Sequence, residues 1–369
     1  MASKNAFDIV VLPGDGIGIE VMAAAIELLA AVQSRVGGFS LVYDHRPGGA
    51  GNYKETGDAF PDTSMKACER ADAILFGAMG LPHIRYPDGR EIAPQIDMRV
   101  HLDLYAGVRP IRAIPGVPLP LADPRARDID LVIVRESTEG WFYYFGKGEV
   151  RNDEEAFDKC RISRAGSERV FDYSFRLAER RRARNPKKGR VTCVDKSNVY
   201  VSMAFSNKIF WERAKRFPAI AADHCYIDAM ALNLVRKPWE YDVMPTENQF
   251  GDILSDLAAG LIGGMGMAPS GDIGDKHGVF QPSHGSAPDI AGQGKANPIA
   301  MFLSSAMMLE WLGEQHGLAA CIDAAALIEG AVDRVFAGKR VLPFEFGGKD
   351  GTAAITRAVI EALTEKVVA

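Results

Sequence analysis

Cysteine is scarce and scattered in this chain. The 369 residues include five (Cys68, Cys160, Cys193, Cys225 and Cys321), an odd number with no Cys-x-x-Cys pair. That usage excludes a zinc knuckle and a disulfide scaffold, and it fits a reducing cytoplasm. No stretch approaches the ~18 consecutive apolar residues of a membrane span. The N-terminal stretch "MASKNAFDIVVLPG" lacks a basic segment followed by a long apolar one, so no secretory signal is expected. Basic charge is not in excess. The net charge of -5 argues against nucleic acid as the main partner. One basic run, residues 179–190, reads as the solvated end of a helix and its loop. There is no internal repeat and no low-complexity tract.

A dinucleotide fingerprint is also missing. The segment 12–21, "LPGDGIGIEV", follows the apolar run "DIVV" and carries three glycines at alternate positions. A Rossmann loop needs Gly-x-Gly-x-x-Gly. Counting from Gly14, the third glycine position holds Ile19; counting from Gly16, it holds Val21. No Gly-Lys-Ser/Thr closes the segment, so it is not a P-loop either. What remains is a strand, a tight turn and a helix starting near Ile19. The turn either binds nothing or presents backbone N–H groups to an anion.

The remaining pattern is that of an α/β chain. "DIVVLP", "FSLVYDH" and "ADAILFG" read as strands, and "EVMAAAIELLAAVQSRV" reads as a helix. Length alone predicts two domains. The proline-rich stretch 109–124 reads as a crossover or hinge, and "DIDLVIVRES" as a new strand. Residues 140–163 read as an extended arm or loop. Near the C-terminal half, the strand "YDVMPTE" leads into a helix, "FGDILSDLAAGLIGG", whose terminal glycines point to close approach of another helix or a ligand.

Four constellations carry chemistry. Asp252 and Asp256 lie four apart, on one helix face, where two carboxylates form either an acidic surface or half of a hard-cation site. Arg99, Arg109 and Arg135 can each hold a carboxylate by paired hydrogen bonds, and together they suit a substrate with two or more carboxylates. Lys196, at a strand end, is a proton-transfer candidate. Asp228 interrupts an apolar run and is a candidate third metal ligand. Finally, "PSHGSAPDIAGQGKANP" (282–298) is too rich in small residues for a regular element and could wrap a ligand with its backbone, with Asp289 accepting from hydroxyls.

As an ordered set, "RVHLDLYAGVRP", "VRESTEG", "VDKSNV", "YIDAMALNLV", "ENQFGDILSDLAAGLIGGMGMAPSGDIG" and "HGSAPDIAGQGKANP" resemble the metal-dependent β-decarboxylating dehydrogenases. That family acts on isopropylmalate, isocitrate, homoisocitrate and tartrate or D-malate, and the resemblance spans nearly the whole chain. It implies a two-domain α/β/α fold of isopropylmalate dehydrogenase type, with a mixed central sheet rather than a Rossmann fold. Residues 1–104 plus 263–369 would form the large cofactor-binding domain. Residues 105–262 would form the small domain with the dimer interface and arm. The resemblance further implies that Arg99, Arg109 and Arg135 bind the substrate carboxylates, with Asn198 close to substrate and nicotinamide. Asp252 and Asp256 would ligate Mg²⁺ or Mn²⁺ on one subunit. Asp228 and the catalytic Lys196 would come from the partner of a homodimer, with a dimer of dimers left open. The cofactor loop would comprise His284, Gly285, Ser286, Ala287, Asp289, Ile290 and Asn297. Asp289-Ile290 stands where NADP-dependent members tend to carry Lys-Tyr, so NAD is expected; K⁺ is a further candidate. In the implied reaction Lys196, with Asp228 or water, takes the hydroxyl proton, hydride goes to NAD, and CO₂ departs from the 2-oxo acid.

Three departures from the family pattern bear on substrate and mechanism. "STEGWFYYFG" is about two residues longer than the isopropylmalate version; Tyr144 fits the general-acid position when aligned on the following Phe-Gly, Tyr143 is next, and neither tyrosine reaching the site is the third alternative. Before Arg99 stand Gln95 and Ile96, neither the acid-and-leucine pocket of isopropylmalate enzymes nor the Ser/Asn pair of isocitrate enzymes. They point to a D-malate-type substrate with a modest substituent. Gln281 stands where isopropylmalate enzymes tend to carry Glu. Two competing readings are a catalytically silent regulatory subunit, opposed by the presence of Lys196, Asp228, Asp252 and Asp256, and a metal-free hydroxyacid dehydrogenase on a true Rossmann fold, opposed by the failed fingerprint.

Overall fold

The computed structural model describes residues 4–365. Its strands are β1 (Ala6–Gly14), β2 (Ser40–His45), β3 (Ala73–Ala78), β4 (Ala106–Arg112), β5 (Asp130–Glu136), β6 (Glu149–Arg151), β7 (Glu155–Phe157), β8 (Arg190–Asp195), β9 (Ala221–Tyr226), β10 (Val243–Thr246), β11 (Pro269–Ile273) and β12 (Gly278–Pro282). Its helices are α1 (Gly18–Val36), α2 (Ala50–Thr56), α3 (Asp62–Arg70), α4 (Pro94–His101), α5 (Arg164–Arg184), α6 (Val201–Ala214), α7 (Ile227–Arg236), α8 (Asn248–Leu261), α9 (Ile299–His316), α10 (Ala319–Ala337) and α11 (Thr352–Ala362).

Ten strands make one mixed sheet in the order β2-β1-β3-β12-β11-β4-β5-β10-β8-β9. The strands at each end pair in parallel, but β12, β11, β4 and β5 pair antiparallel in the middle. The two parallel halves therefore run in opposite directions. Parallel strands are covered on both faces, which explains why β3 is apolar and buried at every position. On α1, Val21, Met22, Ala25, Leu28, Leu29 and Val32 are buried, the 3.6-residue stripe expected of a helix lying on a sheet. The expected division at 104/105 and 262/263 falls between β11 and β4, and backbone hydrogen bonds join these two strands across it.

Three sequence expectations change. Residues 109–112 of the proline-rich stretch are not hinge but the end of β4. Pro110 fits there because β11 pairs only with residues 106–108, so no partner is lost for its missing N–H. The basic run is not uniformly solvated. Arg181 reaches the buried carboxylate of Asp242 at 2.6 Å and Asp130 at 2.9 Å, and Lys188 also pairs with Asp130. Of the glycines closing α8, Gly263 and Gly264 lie at positive φ beyond its end, and the close approach at Gly263 and Gly266 is to Val117, Phe346 and Glu345 rather than to another α-helix. The arm contains the hairpin β6–β7, all of whose residues are exposed.

The turn 14–18 has a structural role that its glycines alone did not reveal. Gly16 lies at φ 57°, and a Cβ there would stand 2.0 Å from the carbonyl oxygen of Ser286. Ile17 N–H donates to that same carbonyl at 2.8 Å. The turn thus abuts the 284–290 loop itself. Asp15, buried between them, accepts from the backbone N–H groups of Ala50, Gly51 and Gly80, each at 2.8 Å. Each buried donor left without an acceptor costs on the order of 1–3 kcal/mol. Asp15→Ala is therefore expected to lower unfolding stability by about 3 kcal/mol or more, measured as the guanidinium midpoint; a loss below about 0.5 kcal/mol, the size of an ordinary surface substitution, would contradict this role.

Candidate active site

The antiparallel centre of the sheet places the arginines together. Arg135 stands opposite Gly107, Gly107 opposite Asp272, and Ser270 opposite Gln281. Side chains alternate along a strand, so Gly107, Arg109, Arg135, Ser270, Asp272 and Gln281 all point to one face. Gly107 has no side chain because the space is taken: a Cβ there would meet Ser137 Oγ at 2.6 Å and Asp272 Oδ1 at 3.1 Å. α4 brings Arg99 over this face from one side, and α8 brings Asp252 and Asp256 from the other.

Asp272, 1% exposed, is the hub. Its Oδ2 accepts from Arg99 Nε at 3.0 Å and Gln281 Nε2 at 2.8 Å, and its Oδ1 accepts from Arg109 at 3.2 Å. Burial alone would raise its pKa, but the three guanidinium groups win and hold it at about 2. Arg135 donates to Asn248 Oδ1 at 2.8 Å and pairs with Asp252. Burial and the neighbouring Arg99 charge push Arg135 down to about 10, still a cation at neutral pH.

The three arginines, Gln281 and Asp252 line an open cleft. Its wall includes Glu91, Gln95, Ile96, Arg99, Arg109, Arg135, Phe142, Asp252, Ser255, Asp256, Gln281, His284 and Gly285. Burial and the adjacent Asp252 push the Asp256 carboxyl upward, which marks a site short of positive charge. Two oxygen-bearing carboxylates in such a setting fit part of a hard-cation site. Among the described residues, however, no three acidic, imidazole or thiol side chains converge on one point.

Asp228 and Lys196 are not on the cleft wall. They pair with each other at 2.6 Å, with Asp228 67% exposed, and the hydrogen bond from Lys196 holds the Asp228 carboxylate below its usual range. Asn198 lies beside them, exposed. Neither Tyr143 nor Tyr144 lines the cleft within one chain. Tyr143 packs under Lys147 and Arg161, and Tyr144 under Lys159. Phe142 is the aromatic of this run that faces it, with the Arg135 guanidinium 5.0 Å from its ring centre.

The 284–290 loop divides by role. His284 Nδ1 faces its neighbour's carbonyl at 2.9 Å, while Nε2 is buried with no partner among the described residues, and burial lowers its pKa. That neutral imidazole nitrogen is open to a ligand. Gly285 is open, Ala287 takes the unusual φ of 36°, and the Asp289 carboxylate is exposed, with no hydrogen bond among the described residues. Ile290 packs against the main core. Ser286 and Asn297 are structurally committed: Ser286 Oγ donates to the Gly80 carbonyl, and Asn297 donates to Glu345 at 2.7 Å. An exposed backbone with a free acid at its rim suits a nucleoside with ribose hydroxyls.

The sequence profile described as Isocitrate/isopropylmalate dehydrogenase matches residues 8–367. A 3-isopropylmalate/3-methylmalate dehydrogenase from Methanocaldococcus jannaschii is 40% identical over 363 residues, 97% of this chain and 99% of that one. The chain belongs to the isocitrate/isopropylmalate dehydrogenase family. A 3-isopropylmalate dehydrogenase from Deinococcus radiodurans is 40% identical over 365 residues, covering 96% of this chain and 97% of that one. Among solved structures, an isocitrate dehydrogenase from Methylococcus capsulatus superposes with a TM-score of 0.84 at 35% identity, covering 97% of this chain and 100% of that one. A β-decarboxylating dehydrogenase from Thermococcus kodakarensis gives a TM-score of 0.78 at 35% identity, covering 97% and 96%. The mixed α/β fold is that of the family, and the chain is an oxidative decarboxylating dehydrogenase.

Within this family frame, sequence reasoning left Asp272, Phe142 and Asp15 without a role. Asp272 had a usable signal: an acid inside the strand pattern "PSGDIG", in a chain with three arginines reserved for one site. Its charge also makes a pH prediction. The native carboxylate binds its proton less tightly than an ordinary one near 3.8. Its contribution, about 2 kcal/mol, is therefore complete above pH ~4 and lost as pH falls toward ~2. The stability gap between wild type and Asp272→Asn is expected to narrow between pH 5 and pH 3 in urea unfolding. A gap that stays constant across that range would contradict the assignment.

Proposed function

We propose that this enzyme uses NAD and Mg²⁺ or Mn²⁺ to convert a (2R)-malate-type 2-hydroxy dicarboxylic acid to a 2-oxo acid and CO₂. The substrate is of the 3-isopropylmalate or D-malate/tartrate kind. The observation that carries the reading is the convergence of Arg99, Arg109 and Arg135 with Asp252 and Asp256 on one cleft. Three cations in fork geometry select a small polycarboxylate, and a guanidinium holds each carboxylate by two parallel hydrogen bonds. Gln95 and Ile96 form the wall beyond them, and the buried Gln95 Oε1 has no partner among the described residues. That mixed wall favours a modest substituent at C3. The relative named for both isopropylmalate and methylmalate agrees with a tolerant pocket.

Asp252 and Asp256, joined by Asp228 from a second chain, would hold the divalent ion. When bound, that ion would polarise the substrate hydroxyl and offset developing negative charge. Lys196 of the second chain would take the hydroxyl proton as C2 is oxidised. Phe142 shields Arg135 from water, so the carboxylate that remains is held in a drier, stronger field. Tyr144, or Tyr143 beside it, returns a proton to the enol after CO₂ leaves. His284 and the exposed loop through Asp289 would receive the cofactor, with Asp289 on the ribose hydroxyls. Residues 1–104 with 263–369 would act as the cofactor-binding domain and residues 105–262 as the dimerising one.

A homodimer is supported by the surface near Lys196 and Asp228. Val199, Val201, Phe205 and Trp211 on or before α6, Leu232 and Val235 on α7 and Ile253 on α8 are all exposed; Val201 is 87% exposed. Apolar side chains gathered on neighbouring helices mark an interaction surface. The five unpaired thiols fit a cytoplasmic enzyme.

A panel of D-malate, tartrate, 3-methylmalate, 3-isopropylmalate, isocitrate and homoisocitrate with NAD and Mn²⁺ tests this reading. A dicarboxylate should turn over fastest, and EDTA should abolish the activity. Fastest turnover of a tricarboxylate, or activity indifferent to chelation, would overturn it. Asp289→Ala should raise the KM for NAD roughly tenfold or more, from loss of a charged hydrogen-bond acceptor. Asp44→Ala, on the strand where a Rossmann fold would read the ribose, should change it little. Equal effects would contradict the loop assignment.

A further inference from the structure

Asp272 touches no ligand position on the cleft, yet it controls two of the three arginines that do. It is buried, and both of its oxygens are committed to Arg99, Arg109 and Gln281. Gln281 spends its amide N–H on Asp272 rather than on the cleft. Position 281 is therefore a neutral donor that completes the shell of a carboxylate and adds no charge. With Asp272, Asp252, Asp256 and the rim residue Glu91, the cleft carries one more fixed negative charge than it has arginines. Lys196 and Asp228 cancel each other wherever they sit. The protein side of the site is thus one charge negative before any divalent ion binds. A bound divalent cation would leave a single positive charge, enough to favour a dicarboxylate but too little to offset a third carboxylate.

We propose that Asp272 is a specificity-determining residue that acts through Arg99 and Arg109, limiting the positive charge of the cleft so that a dicarboxylate is preferred over a tricarboxylate. The inference rests on the reading of the arginine cluster as the substrate-carboxylate site. Removing the Asp272 charge adds one unit of net positive charge beside the ligand. At the separations inside such a cleft, one unit charge changes ligand affinity by roughly tenfold or more. The effect is selective, because the third carboxylate of a tricarboxylate gains most from the added positive field. Gln281→Glu places a negative charge back within reach of the same guanidinium groups and is expected to undo it.

The test compares succinate and tricarballylate, a di- and a tricarboxylate that cannot be oxidised, by thermal shift and as competitive inhibitors. Both measurements are made with Mn²⁺ on wild type, Asp272→Asn and Asp272→Asn/Gln281→Glu. Wild type should prefer succinate per carboxylate. Asp272→Asn should move the ratio of the two affinities toward tricarballylate by about tenfold, and the double variant should return it toward wild type. If Asp272→Asn weakens both ligands alike and Gln281→Glu restores neither, Asp272 is only a packing residue and the proposal fails. If the single variant does not fold, the double variant with its charge restored must recover folding and the wild-type ratio; a folded double variant that prefers tricarballylate overturns the proposal. If wild type binds neither ligand, the substrate reading itself is wrong, an outcome distinct from failure of the charge assignment.

Discussion

Three guanidinium groups, each less than a tenth exposed, sit on one face of a sheet, and a single buried carboxylate holds two of them. Charges taken out of water cost several kcal/mol each unless paired. The rest of the site follows from that constraint. The strands at the centre must run antiparallel, because that register sets Gly107 across from both Arg135 and Asp272. Position 107 must be glycine for the Asp272 carboxylate to lie over it. Gln281 must donate, since Asp272 Oδ2 already faces one cation and still has an open lone pair. The reversal of strand direction midway through the sheet is thus the feature that builds an anion site where the two halves meet.

The same geometry leaves the cleft incomplete within one chain. Its wall offers cations for carboxylates and carboxylates for a cation, but no lysine. The lysine suited to proton transfer is paired with Asp228 away from the cleft, on a surface rich in exposed apolar side chains. The proposed supply of Lys196 and Asp228 by a second copy would reconcile the two observations. It also explains why a carboxylate such as Asp228 can remain exposed in one chain: the ordinary cost of a buried, unpaired acid is not incurred until a cation and a substrate are there to share it.

Much of the site was legible in the chain. The helix under Asp252 and Asp256, the strands carrying Arg109 and Arg135, and the irregular loop at 284–290 all follow from period and composition. The turn at 12–21 was legible as not being a dinucleotide fingerprint, but its purpose was not. Gly16 is explained by the Ser286 backbone, some 270 residues away in sequence, and no local pattern encodes such a contact. Asp272 was hidden for a similar reason. Its role depends on strands β4 and β11 being neighbours, and pairing between distant strands is not written in either strand alone. The aromatic run 141–145 shows the limit of alignment by residue type. Five rings in succession on a short turn cannot all face one cleft, and the one that does is Phe142.

Sharing of the site between chains is tested most directly by complementation. Arg135→Ala removes a carboxylate-binding group from one chain, and Lys196→Ala removes the proton-transfer group from the other; each variant alone should be inactive. Co-expressed with different tags, the two should form heterodimers in which one site receives an intact arginine set and an intact lysine, restoring up to about a quarter of wild-type activity in the mixed population. Recovered heterodimers with no activity above the single variants would contradict the account.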